Sequence, residues 1–115
     1  MFIDDPTRLR HMRDAAQKAV EFSQSRTRSD LESDQMLALS LVKCIEIVGE
    51  AASRITRERQ NQLPQIPWSQ IIDMRNRLIH AYFQIDFDIV WDTVTQILPV
   101  LVVELEEIIA TEEQE

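Results

Sequence analysis

Between Asp34 and Arg59 the apolar side chains recur at helical spacing over an unusually wide arc. Leu37, Leu41, Cys44, Ile45, Val48, Ala52 and Ile55 form it, with Ala38 and Val42 beside them. Such a helix has to be wrapped by neighbours on most sides. Only a narrow polar stripe is left, made of Lys43, Glu46, Glu50 and Arg54. The pattern predicts one long central helix, capped by Ser33 or Asp34 and running to about Arg59, with the rest of the chain packed around it. Composition agrees, since one Gly and four Pro among 115 residues rich in Leu, Ile, Ala, Glu, Gln and Arg point to an all-α protein. A chain of this length supports one hydrophobic core and one domain. The single glycine, Gly49, costs about 1 kcal/mol relative to Ala inside a helix. Close approach of another helix backbone would account for it.

The other elements follow from caps and breakers. Asp5 reads as an N-cap with Pro6 at the first helical position, opening a helix to about Ser25. Its inward stripe is Leu9, Met12, Ala16, Ala19 and Val20, and Arg8, Arg10, Arg13 and Lys18 take its outer face. His11 reads as a surface residue. The polar stretch from Arg26 to Asp30 is a connection, and Leu63-Pro64-Gln65-Ile66-Pro67 breaks the chain before a third helix near Trp68. Asp86 caps a fourth helix whose inward residues run from Ile89 to Ile108, kinked at Pro99. Residues 110–115 form an acidic tail expected to fray. The predicted architecture is an antiparallel bundle of four main helices.

Several function classes are excluded. Cys44 is alone, so there is no disulfide framework and a reducing compartment is expected. The opening Met-Phe-Ile-Asp-Asp lacks the basic and apolar segments of a signal peptide, which predicts a cytoplasmic protein. The apolar run Ile97 to Val103 is too short for a membrane span. Net charge is −8, which argues against an extended nucleic-acid groove. All 12 basic residues, however, lie at or before Arg77, and residues 86–115 carry acids and no base. Local fields therefore matter more than the total, and a small phosphate-handling pocket remains compatible.

Met74-Arg75-Asn76-Arg77-Leu78-Ile79-His80-Ala81-Tyr82-Phe83 is where chemistry concentrates. Placed on a helix at about 100° per residue, Arg75 and Tyr82 nearly superpose in the middle of an apolar arc. An arginine there needs an anionic partner or ligand, because burying an unpaired charge is costly. Glu46 and Glu50 stand one turn apart on the central helix and repel each other unless bases lie close. Either Glu50 pairs with Arg54 on a solvated stripe, or one of the two acids crosses the bundle to orient Arg75. No His or further acid stands at ligand spacing, so these carboxylates are not read as a metal site.

Arg75-x4-His80-x-Tyr82 resembles the signature of the HepT-type HEPN ribonuclease toxins. Glu46-Ile47-Val48-Gly49-Glu50-Ala51-Ala52 is similar to that family's central-helix pattern, and Trp68 and Ile85-Asp86-Phe87-Asp88-Ile89-Val90-Trp91 flank the motif as in its members. The likeness covers essentially the whole chain, with Gln84 standing where relatives often have Gly. It implies a HEPN-like homodimer with paired motifs facing one cleft, acting on RNA. It also implies a toxin–antitoxin pair whose antitoxin, a minimal nucleotidyltransferase, transfers AMP to Tyr82.

RNA supplies its own nucleophile, the 2′-hydroxyl, so no metal or cofactor is called for. His80 is the candidate base. Arg75 is the candidate cation for charge building on phosphorus, and Asn76 a candidate for positioning a phosphate oxygen. On one unbroken helix Arg75 and His80 diverge by about 140°. A shared pocket then needs an opened helix, a curled Arg75, or two chains. The alternative class is a non-catalytic helical partner or substrate-binding subunit of a nucleotidyltransferase, in which Arg75 would hold a nucleotide phosphate or lock a dimer.

Overall fold

A computed structural model describes residues 2–80 and 83–114, leaving Tyr82 and its expected role outside the described residues. Helix α1 spans Asp5–Ser23, and its N-cap is Asp4, whose carboxylate accepts the Thr7 N–H at 2.9 Å. The cap lies one residue before the expected Asp5 because Asp5 is used elsewhere. Its two carboxylate oxygens accept the N–H and hydroxyl of Thr56, at 3.0 and 2.7 Å. Helix α1 closes through Gln24, with Ser25 at φ 61°.

After a short helix α2 (Asp30–Ser33), Asp34 caps the central helix α3 (Gln35–Arg54) by accepting from the Leu37 N–H. The expected end at Arg59 is corrected. Ile55 turns extended, and Thr56 caps a new helix α4 (Arg57–Gln62) through the Arg59 N–H. A β-branched residue in extended geometry, followed by a threonine that both caps and binds Asp5, stops the run. Helix α3 packs against α1 and against α5 (Trp68–Met74), and nearly all of its wide apolar arc is buried. The close approach inferred at Gly49 is real. A Cβ built there would lie 3.3 Å from the Ile71 carbonyl oxygen.

The largest correction falls on the motif. Helix α5 ends at Met74, so Arg75 and His80 are not carried on one helix. The Asn76 and Arg77 N–H groups bond back to Asp73 and Met74 in tight turns. Strands β1 (Ile79–His80) and β2 (Gln84–Ile85) then form an antiparallel hairpin that pairs His80 with Gln84. Asn at a helix end and β-branched or aromatic residues after it favour this over helix continuation.

Asp86 caps α6 (Phe87–Asp92), which continues through a π-helical turn (Thr93–Ile97) into α7 (Leu98–Gln114). The wide turn directly precedes Pro99, whose ring would clash with the carbonyl four residues back in a regular helix. The tail expected to fray is helical as far as Gln114, and Arg59 donates to Glu112 at 2.5 Å. Four helical legs, α1, α3, α5 and α6–α7, surround a core that includes Leu9, Met12, Leu41, Ile45, Met74, Leu98 and Leu105. Among the described residues, no helix is long and apolar enough to cross a membrane.

Candidate active site

Helix α5 delivers Arg75 to α3 over Gly49, where Arg75 Cδ would be 3.4 Å from a Cβ. A bare backbone at 49 lets the arginine stem lie flat on α3. Its Nη1 donates to Glu50 Oε2, while Arg54 Nε donates to Glu50 Oε1 at 2.9 Å. One carboxylate thus faces two guanidinium groups. The Arg54 hydrogen bond is the first cause that holds the Glu50 carboxyl below its ordinary pKa, with Arg75 adding to it. Both sequence alternatives for Glu50 coexist. An arginine presents five donors in a planar fork, so an anchor on Glu50 leaves capacity to bind an anion.

A groove of about 490 Å³ opens beside this pair. Arg8 and His11 from α1, Lys43, Glu46 and Glu50 from α3, and Arg75 and Asn76 line it. Arg8, Lys43 and Arg75 outnumber its two carboxylates, so this small region is basic within an acidic chain. His11, read from sequence as a surface residue, is exposed but belongs to this groove. Nothing in the sequence pairs α1 with α3 at that position; only packing brings them together.

His80 stands elsewhere. It projects from β1 into a groove of about 970 Å³ shared with Arg28, Glu32, Gln35, Ala38, Asp86 and Phe87. Among the described residues the two grooves have no lining residue in common. His80 Nε2 lies 2.8 Å from Asp86 Oδ2, and Asp86 Oδ1 accepts the Ile89 N–H at 3.1 Å. The His80 hydrogen bond, followed by the Ile89 N–H, holds the Asp86 carboxyl below its ordinary pKa. Sequence reasoning gave Asp86 only its capping role. Arg28 lies 5.9 Å over the Phe87 ring and donates to Asp88 and Glu32, so its charge is already answered.

Between the grooves runs the outer face of α3. Met36, Leu39 and Ile47 are exposed there, at 81, 51 and 40 %. Gln35 and Ala38 border the His80 groove at one end of this stripe, and Ile47 borders the Arg75 groove at the other.

Comparison with known proteins gives one answer. The chain is 32% identical over 93 residues to a protein of Thermococcus cleftensis named "Probable ribonuclease HepT", covering 81% of this chain and 84% of that one. It is 30% identical over 104 residues to a Caldanaerobacter subterraneus subsp. tengcongensis protein whose name is likewise that of an RNase, covering 90% and 93%. No solved structure matches it. The family described as "Ribonuclease HepT-like" matches residues 12–108. The chain belongs to the HepT-like ribonuclease family.

Proposed function

We propose that this protein is a cytoplasmic toxin of a toxin–antitoxin pair, a metal-independent endoribonuclease whose active site is assembled by two copies of the chain. The observation that carries this reading is the exposed α3 stripe joining two separate grooves, one holding Arg75 and the other His80. Met36 and Ile47 are eleven residues apart, about 16 Å along a helix. A two-fold pairing of α3 with α3 sets the Met36 end of one chain against the Ile47 end of the other. The Arg75 groove of each copy then faces the His80 groove of its partner. Family membership supports the RNA substrate.

In the assembled cleft Arg75, with Asn76 beside it, receives a backbone phosphate, and Glu50 and Glu46 orient the cation. His80 of the second chain takes the 2′-hydroxyl proton. The 2′-oxygen attacks phosphorus, the bond to the 5′-oxygen breaks, and a 2′,3′-cyclic phosphate is left. The fixed guanidinium meets charge that grows on the phosphoryl oxygens. The antitoxin is a nucleotidyltransferase that moves AMP onto Tyr82, and the added phosphate competes with RNA for Arg75.

Purified protein should cut RNA in EDTA, and Arg75→Ala or His80→Ala should abolish cleavage while the helical signal stays. Co-expression with the cognate nucleotidyltransferase should add AMP to the Tyr82 peptide, and Tyr82→Phe should prevent it. Cleavage that persists in His80→Ala, or that a chelator stops, overturns the mechanism.

A further inference from the structure

His80 and Asp86 are held in a geometry that fixes which imidazole nitrogen is free to work. The Asp86 N–H donates to the Leu78 carbonyl at 2.7 Å, closing the hairpin from which His80 projects. Its Oδ1 is occupied by the Ile89 N–H at the start of α6, which leaves Oδ2 on His80 Nε2. The Asp86 side chain is 23% exposed against 59% for His80, so the carboxylate is the seated member of the pair. Among the described residues, the other charged groups lining this groove are Arg28 and Glu32, and they are bonded to each other.

An ionised carboxylate only accepts hydrogen bonds, and a neutral imidazole carries its proton on one nitrogen. With Asp86 ionised, Nε2 must be the donor, and the lone pair lies on Nδ1. We propose that Asp86 is a positioning residue that keeps His80 in the Nε2–H tautomer, so that Nδ1 is the nitrogen that removes the 2′-hydroxyl proton. This rests on the ribonuclease reading and names the atom that reading leaves open. In the step, Nδ1 gains the proton and the 2′-oxygen bonds to phosphorus. The bond from phosphorus to the 5′-oxygen breaks, and the departing oxygen takes a proton from water. The imidazolium then donates from both nitrogens, with Asp86 facing Nε2, and returns its extra proton to solvent.

The test separates the cap from the tautomer, because Asn caps a helix as well as Asp does. In Asp86→Asn the amide oxygen can keep the Ile89 N–H, and the amide N–H₂ then faces Nε2. The ring must accept there and move its proton to Nδ1. Protein labelled with ¹⁵N in histidine, read by long-range ¹H–¹⁵N correlation above the imidazole titration, should show His80 as Nε2–H. A His80→Gln sample removes its signals and leaves those of His11. Asp86→Asn should show Nδ1–H at His80, with kcat for RNA cleavage lower by roughly 10²-fold or more, KM little changed and thermal stability near wild type. The proposal is overturned if wild-type His80 is Nδ1–H, or if Asp86→Asn moves the proton and kcat stays the same. If wild type cleaves no RNA, the ribonuclease reading fails, whereas the tautomer is still decided by the spectrum.

Discussion

Gly49 and Arg75 meet where α5 crosses α3, and a Cβ at position 49 would press on the Ile71 carbonyl and lie in contact with the arginine stem. The Ile71 carbonyl oxygen would lie 3.3 Å from an added Cβ, and Arg75 Cβ and Cδ 3.5 and 3.4 Å from it. The one glycine of the chain therefore sets both a helix crossing and the seat of the proposed phosphate-binding cation.

Substitution at this position separates the two effects. Gly49→Ala gains about 1 kcal/mol of helix propensity, offset by pushing back a backbone carbonyl by a few tenths of an ångström. Its stability should stay within about 1 kcal/mol of wild type. Gly49→Val adds bulk against the Ile71 carbonyl and the Arg75 stem, and should cost about 1–3 kcal/mol and weaken RNA binding by displacing Arg75. Urea denaturation and binding titrations read the two quantities.

Asp5 and Thr56 form the second long-range tie, joining the start of α1 to the corner between α3 and α4. Thr56→Ala loses the α4 cap and the hydroxyl bond to Asp5 but keeps the backbone N–H bond, and should cost about 1–2 kcal/mol. Asp5→Ala should cost about 1 kcal/mol. Because both remove the bond between the Thr56 hydroxyl and Asp5, the double variant should fall short of the sum by at least about 0.5 kcal/mol. Additive losses would show that this bond contributes nothing.

These contacts mark where sequence reading stopped. The apolar stripes of α1 and α3, the Asp34 and Asp86 caps and the Pro64–Pro67 break are written in local spacing, and all stand in the structure. Asp5 as partner of Thr56 depends on packing between residues 51 positions apart, as does the place of His11 in the Arg75 groove. The motif departs from its helical expectation for a different reason. Its apolar residues fit a 3.6-residue period by accident, whereas Asn76 and the β-branched and aromatic residues after it favour a turn and hairpin. The two candidate groups, Arg75 and His80, are nonetheless legible, the first because an arginine in an apolar arc demands a partner wherever the chain puts it, the second through the family signature that it shares with Arg75.

Acid should weaken the fold in a predictable direction. The carboxyl of Asp86 is held low first by His80, that of Glu50 first by Arg54 and that of Asp4 first by Thr7. A carboxyl with a folded pKa below its unfolded value stabilises fully above the unfolded value and loses that contribution as pH falls through the folded one. Urea midpoints should therefore hold from pH 7 to about 5 and decline below about 4. The decline should be shallower in Asp86→Asn, which has no carboxyl to protonate there. Stability that is flat down to pH 3 would contradict the assignment.

The exposed stripe Met36, Leu39 and Ile47 predicts the oligomeric state. Light scattering at micromolar concentration should give two chains per particle. Leu39→Glu places a carboxylate at the middle of the proposed contact and should yield monomers with the circular dichroism of the wild type. Those monomers should cut RNA at least about 10²-fold more slowly, since each holds Arg75 and His80 in separate grooves. A dimer that survives Leu39→Glu and Met36→Lys together would place the interface on another face.

The assembled site is tested most directly by mixing two inactive variants. Arg75→Ala and His80→Ala, each inactive alone, are unfolded together and refolded as an equal mixture, so that chains reassort. A mixed dimer places the intact Arg75 of one chain opposite the intact His80 of the other, rebuilding one of its two sites. With random pairing half the dimers are mixed, and the mixture should recover about one quarter of wild-type cleavage. If wild type refolded in the same way is active while the mixture stays as inactive as either variant, Arg75 and His80 act within one chain and the two-chain site is wrong.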